Sequence, residues 1–349
     1  MKGLLKYYGI NKVFILGAGF SRPAGLPLTS ELLREIHDVS GVKPWHIGNG
    51  KMAKWGQADW LVDELKHYYP TSRISHKRIL ENKVKIDVEE FLSYVAASSA
   101  FIENTSEKFD EHGSHFQSFA KCWLAEVIYN YQELIKPENQ LLYDRFAKNL
   151  NNSLVLTFNW DTILESTLKK LRIPFSYDFN SAMESKQLPF IKMHGSIDWF
   201  RPRDYNYQKL GTKKFEKISE LINDMYRYNG NIRDCFSNYM TPFIVTPNFD
   251  KLNQLRTFGD LWSTPWIYLQ DELEIIIIGF SMREDDFHTR AFIYPQLYHG
   301  AKNNHINIKV IDFASDQKQQ NSIKRKFKGI RNIEFSFDGF NEETLNWLV

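Results

Sequence analysis

The sequence has little cysteine, little net charge and no long apolar run, and each shortage excludes something. Only Cys122 and Cys235 occur in 349 residues, far apart. No C-x-x-C pair exists, which excludes a sequence-local zinc ribbon and a small disulfide scaffold. Two buried free thiols in a reducing compartment are the expectation, with a single disulfide as the alternative. Lys and Arg number 44 against 42 Asp and Glu, a net charge of +2. That balance gives no general pull toward nucleic acid or an acidic membrane surface. The apolar runs at Val13–Leu16 and Ile275–Phe280 are of strand length, far below the ~20 residues of a membrane span. No apolar leader core with a small-residue cleavage site follows the N-terminus, so a soluble, cytoplasmic chain is expected. No internal repeat or low-complexity segment is visible.

What is present is an ordinary globular mix, 43% hydrophobic and 25% charged, with aromatics at 15% that read as a Phe/Tyr-rich core. The length suggests two or so compact units. Val13-Phe14-Ile15-Leu16 ends in Gly17-Ala18-Gly19, and a helical pattern starts near Thr29; strand, glycine turn, helix opens a parallel α/β sheet. Residues 41–56 read as a loop by their Gly and Pro content. From about 57 to 149 the pattern is helical, with long helices expected over Phe116–Leu134 and near Leu141–Leu150. Strand character returns at 153–157, 190–193, 242–245, 274–278 and 306–311, the last of these read as the final strand. Ile275–Ile278 fits a central strand covered on both faces. The segment 201–240 is polar, aromatic and basic and reads as a second, smaller insertion. The expectation is one split α/β domain, about 1–40 and 150–349 within 1–349, carrying a mainly helical insertion over 41–149.

Four motifs follow expected strands, where side chains of a parallel sheet enter the ligand crevice. Gly17-Ala18-Gly19-Phe20-Ser21 is a glycine turn that serves either phosphate approach or a plain tight turn; Arg22 breaks the dehydrogenase G-x-G-x-x-G pattern. Thr157-Phe158-Asn159-Trp160-Asp161 offers an amide and a carboxylate, although Asp161 is also placed to cap the next helix. Lys192-Met193-His194-Gly195-Ser196 offers a histidine suited to general-base work near neutral pH, or a satisfied polar group. Gly279-Phe280-Ser281 closes the all-Ile strand. Asp312, after Ile311, is placed to reach a ribose or to cap a helix. His112 and His115 lie at a metal-compatible spacing in what reads as a solvated turn. Lys324-Arg325-Lys326 reads as favourable charge at a helix C-terminus.

The order of these pieces resembles the sirtuin (Sir2) family, and within it the bacterial Sir2-like NADases of anti-phage defence. The resemblance spans most of the α/β part and leaves the helical insertion uncovered. It implies a Rossmann-like parallel sheet of sirtuin type with a large helical insertion and no zinc module. It implies that Gly17, Ala18, Gly19 and Ser21 hold the diphosphate and ribose of NAD+. It places Asn159 at the reacting ribose or its water, Asp161 at the nicotinamide carboxamide, and His194 at the ribose hydroxyls as base. Gly279 and Ser281 fall beside the cofactor, with Asp312 near the adenosine end. Two departures stand out: the four-cysteine zinc module of protein-deacylating sirtuins is absent, and Gly25-Leu26-Pro27 lacks the Asp-Phe-Arg that follows there.

The implied activity is hydrolysis of the nicotinamide–ribose bond of NAD+, the substrate, with no metal, in abortive infection. The alternatives are an NAD-dependent deacylase or ADP-ribosyltransferase, and a non-catalytic NAD or ADP-ribose sensor. The implied assembly is a homo-oligomer, with a separately encoded partner such as a HerA-like ATPase or an Argonaute-type protein. Neither direct nucleic-acid binding nor membrane association is expected.

Overall fold

The computed structural model describes residues 9–42, 46–47, 51–52, 57–88, 90–92, 94, 115–201, 212–219, 225–237, 240–245, 273–280, 282, 287–302 and 306–348. In chain order the strands are β1 Lys12–Leu16, β2 Ser153–Thr157, β3 Phe175–Ser176, β4 Leu188–Lys192, β5 Gly195–Phe200, β6 Phe215–Lys217, β7 Tyr226–Tyr228, β8 Pro242–Ile244, β9 Leu273–Ile278, β10 Ile306–Ile311 and β11 Ile333–Ser336. Two further strands of two residues each, His46–Ile47 and Lys51–Met52, pair antiparallel within what the composition reads as loop.

Seven strands form a parallel sheet in the order β11-β10-β9-β1-β2-β4-β3. The four isoleucines of β9 are fully buried between β1 and β10, as their continuous run requires. Burying each such side chain is worth about 1.5–3 kcal/mol. The chain leaves β1 for β2 on one side and returns through β9 on the other, so the order reverses at β1. Ile306–Ile311 is not the last strand, because Ile333–Ser336 pairs outside it.

A second, antiparallel sheet has the order β8-β5-β7-β6. Pro242–Ile244 therefore belongs with Gly195–Phe200 rather than with the parallel sheet, and the described part of 201–240 contributes β6 and β7.

The helices are α1 Thr29–Val42, α2 Gln57–Tyr68, α3 His76–Leu80, α4 His115–Glu133, α5 Pro137–Lys148, α6 Ile163–Lys170, α7 Phe179–Glu184, α8 Ile232–Ser237, α9 Phe287–Lys302, α10 Gln317–Lys326 and α11 Glu342–Leu348. α5 starts at Pro137, four residues before the apolar pattern suggests, because proline suits the first helical turn. α1 packs on α2, α3 and α4, and α4 lies against the second sheet. Cys122 and Cys235 are both buried free thiols. Among the described residues no helix is long and apolar enough to cross a membrane.

Candidate functional site at the C-terminal edge of the parallel sheet

Register fixes the site. Leu16 aligns with Ile278 on one side and Thr157 on the other, Thr157 with Lys192, and Ile278 with Ile311. The next residues, Asp312, Gly279, Gly17, Phe158 and Met193, therefore leave the sheet at one level. Backbone bonds continue there, from Gly17 N to Ile278 O (2.9 Å), Phe158 N to Leu16 O (2.9 Å), Met193 N to Thr157 O (2.7 Å) and Gly279 N to Ile311 O (2.8 Å). This edge lies where the strand order reverses, the place open α/β sheets use for ligands.

The first and last glycine turns touch. Gly19 N donates to Gly279 O at 3.0 Å. Gly279 has φ +59°, and a Cβ there would lie 2.3 Å from Gly19 Cα. Only glycine allows that approach, so the two turns pack backbone to backbone between β1 and β9, with Phe280 beside Gly17. Ala18 stands exposed beside them. A short 3-10 helix, Ala18–Ala24, follows. Tyr143 of α5 secures it by donating to Phe20 O (2.9 Å) and accepting from Ala24 N (3.2 Å).

Asn159, Ser21 and Asp161 form one buried cluster. Asn159 Nδ2 donates to Gly17 O (2.9 Å) and to Ser21 Oγ (3.0 Å). Ser21 Oγ in turn donates to Asp161 Oδ2 (2.6 Å). Asp161 Oδ1 accepts from Ile163 N (3.1 Å), so this residue meets the crevice network and also supports the start of α6. Both amide hydrogens of Asn159 are engaged, and its Oδ1 is the atom it can offer to a ligand. Ser21 is 1% exposed and directed at Asp161.

His194 stands one strand away, two residues past the end of β4. Its Nε2 is 3.4 Å from Thr289 Oγ1 of α9. Its ring meets Phe158 edge-on at 4.9 Å, and Phe158 stacks on Phe280 at 4.6 Å. Phe158 immediately precedes Asn159, so one aromatic row ties the histidine, the asparagine and the Gly279 turn together. The motifs contain both phenylalanines, each the first or second residue past a strand, but reading them for polar chemistry alone passes over them.

Asp312 does not cap α10; Asp316 does, accepting from Gln319 N. Asp312 Oδ1 accepts from Phe313 N (2.8 Å), and burial pushes its carboxyl above the ordinary range against the pull of that bond and of Lys326. Ser281 and His112 lie outside the described residues, and of His115 only its backbone at the start of α4 is described. Lys324, Arg325 and Lys326 occupy the last turn of α10.

The sequence also hides a charged pair beneath the cluster. Lys192 and Glu165 have 0% and 2% side-chain exposure and meet at 2.7 Å. A buried lysine reads as polar surface in any hydropathy pattern, and its partner lies 27 residues away.

Fold and site together define a Rossmann-like α/β protein with a polar cluster at the switch point of its sheet. Among solved structures, a mutant Sir2 homologue in complex with 2′-O-acetyl ADP ribose is similar over 99% of this chain and 93% of that chain, at 15% identity and a TM-score of 0.43. Sir2Tm bound to a propionylated peptide is similar over 97% of this chain and 91% of that chain, at 12% identity and a TM-score of 0.37. No protein-family model and no curated protein matches the sequence.

Proposed function

We propose that this chain binds NAD+ at the switch point and hydrolyses its nicotinamide–ribose bond to nicotinamide and ADP-ribose. The observation that carries the reading is the junction of Asn159, Ser21 and Asp161 with the Gly17 and Gly279 turns, with His194 one strand away. The residues fit the dinucleotide. Gly17, Gly19 and Gly279 bring the two turns into backbone contact at the β1–β9 edge, with Ala18 exposed beside them to present its backbone to a diphosphate, and Asp312, further along the same edge, would serve the adenosine end. When bound, NAD+ supplies its own cationic leaving group, so the protein need not provide a strong acid.

The protein's work is placement and proton handling. Asn159, immobilised by Gly17 and Ser21, offers Oδ1 to orient a water. His194, set by Phe158 and Thr289, accepts the proton that water or a ribose hydroxyl gives up. Asp161 keeps Ser21 and the start of α6 in place and is the carboxylate that would face the nicotinamide carboxamide. Destroying NAD+ starves a cell, so the proposed setting is anti-phage abortive infection. The proposed assembly is a homo-oligomer that a separately encoded ATPase or Argonaute-type partner controls. Incubating the protein with NAD+ and separating the products tests the reading; equal amounts of nicotinamide and ADP-ribose are expected. Nicotinamide release only in the presence of an acylated peptide would replace it with deacylation.

A further inference from the structure

Two strand-end segments carry the proposed chemistry, Asn159–Asp161 after β2 and Met193–His194 after β4, and they are braced on both sides of His194. Ile197 N and Ser196 Oγ donate to Trp160 O at 3.0 and 3.3 Å. On the other side, Lys192 Nζ donates to Asp161 O at 2.5 Å. The backbone ladder of α6 begins with Ser166 N to Thr162 O, so Asp161 O lies outside it and receives its bond from this lysine. Lys192 is two residues before His194, and Asp161 is two residues after Asn159.

A fully buried ion pair is a poor device for stability alone. Well-packed apolar residues of similar volume commonly stabilise a protein as well or better. What such residues lack is a donor for an otherwise unclaimed carbonyl. We infer that Lys192, held in place by Glu165, is a positioning residue that fixes Asn159 relative to His194. This inference rests on the hydrolase reading above and names a support for it that touches no substrate.

The test compares wild type with the double variant K192M/E165L. Lys192→Met alone leaves the Glu165 carboxylate buried without its partner and endangers the fold, whereas the double replacement removes both charges together. The inference predicts a folded double variant whose KM for NAD+ stays within about threefold of wild type. Its kcat falls about 10²-fold, the scale of a misplacement of 1 Å between reacting groups. A pair with a purely structural role would move melting temperature and leave kcat intact. An unchanged kcat in the double variant overturns the inference and leaves the hydrolase reading standing. Wild-type protein that binds no NAD+ and releases no nicotinamide overturns both.

Discussion

Ser21 and Asp161, 140 residues apart in the chain, meet through a 2.6 Å hydrogen bond between Oγ and Oδ2. The same hydroxyl receives Asn159 Nδ2, so one buried serine joins the first glycine turn to the second strand end. Ser21→Ala removes a donor from a buried carboxylate and an acceptor from a buried amide. A loss of about 1–3 kcal/mol in unfolding free energy is expected. Urea denaturation of wild type and variant measures it, and an unchanged midpoint would show that water replaces the hydroxyl.

Gly279→Ala brings two penalties to one residue. Its φ is +59°, and the new Cβ would stand 2.3 Å from Gly19 Cα, a backbone atom that cannot swing aside. Backbone strain of this kind costs about 1–3 kcal/mol before any clash is counted. The variant is expected to melt below wild type and to lose NAD+ affinity, read by thermal denaturation and titration calorimetry. Alanine at the exposed Gly9, also at positive φ but with nothing within 4 Å, isolates the strain from the clash.

Asp312 makes a pH-dependent contribution of the opposite sign to that of an ion-paired carboxylate. Burial raises its folded pKa above the ordinary 3.8. Between those two values the folded state holds more protons than the unfolded state, so stability falls as pH rises. Below the unfolded value the penalty vanishes. Asp312→Asn keeps an oxygen for Phe313 N and removes the charge. It is expected to unfold at higher denaturant than wild type at pH 7, with the two curves converging toward pH 3. The same change should weaken NAD+ binding if the ionised carboxylate serves the adenosine end. A variant less stable than wild type at pH 7 would contradict this.

Burial pushes the Cys122 thiol up to about 12 and raises that of Cys235 as well. The thiolate is the reactive species. A thiol-specific reagent at pH 8 should therefore modify neither cysteine in the native protein and both in denaturant, as mass spectrometry would show. Rapid native labelling of either would place that thiol at the surface.

The strand-end motifs are readable from sequence because each follows a short stretch of strand character, and Ile275–Ile278 declares a buried strand without ambiguity. From there the parallel register does the rest, bringing Gly17, Asn159, His194, Gly279 and Asp312 to one edge. Other features leave no such trace. β3 is two residues long, and β11 reads Ile-Glu-Phe-Ser over four, too short for an alternation to stand out. β5 begins three residues after β4 ends, so its buried Trp199 and Phe200 merge with the preceding run. Asp161 reads as either a site residue or a helix cap because it joins both networks. Lys192 is silent because only a distant glutamate and a backbone carbonyl make its burial tolerable.

Catalysis by Asn159 and His194 at the switch point is read by the rate of ADP-ribose formation from NAD+ by wild type, Asn159→Ala and His194→Ala under identical conditions, with NAD+ affinity measured alongside. Wild type is expected to give nicotinamide and ADP-ribose, and His194→Ala to lose roughly 10²–10⁴-fold in rate, the usual contribution of a general base. Asn159→Ala should lose turnover as well, and both variants should still bind the dinucleotide. ADP-ribose formed by His194→Ala at the wild-type rate would contradict a catalytic role for this histidine.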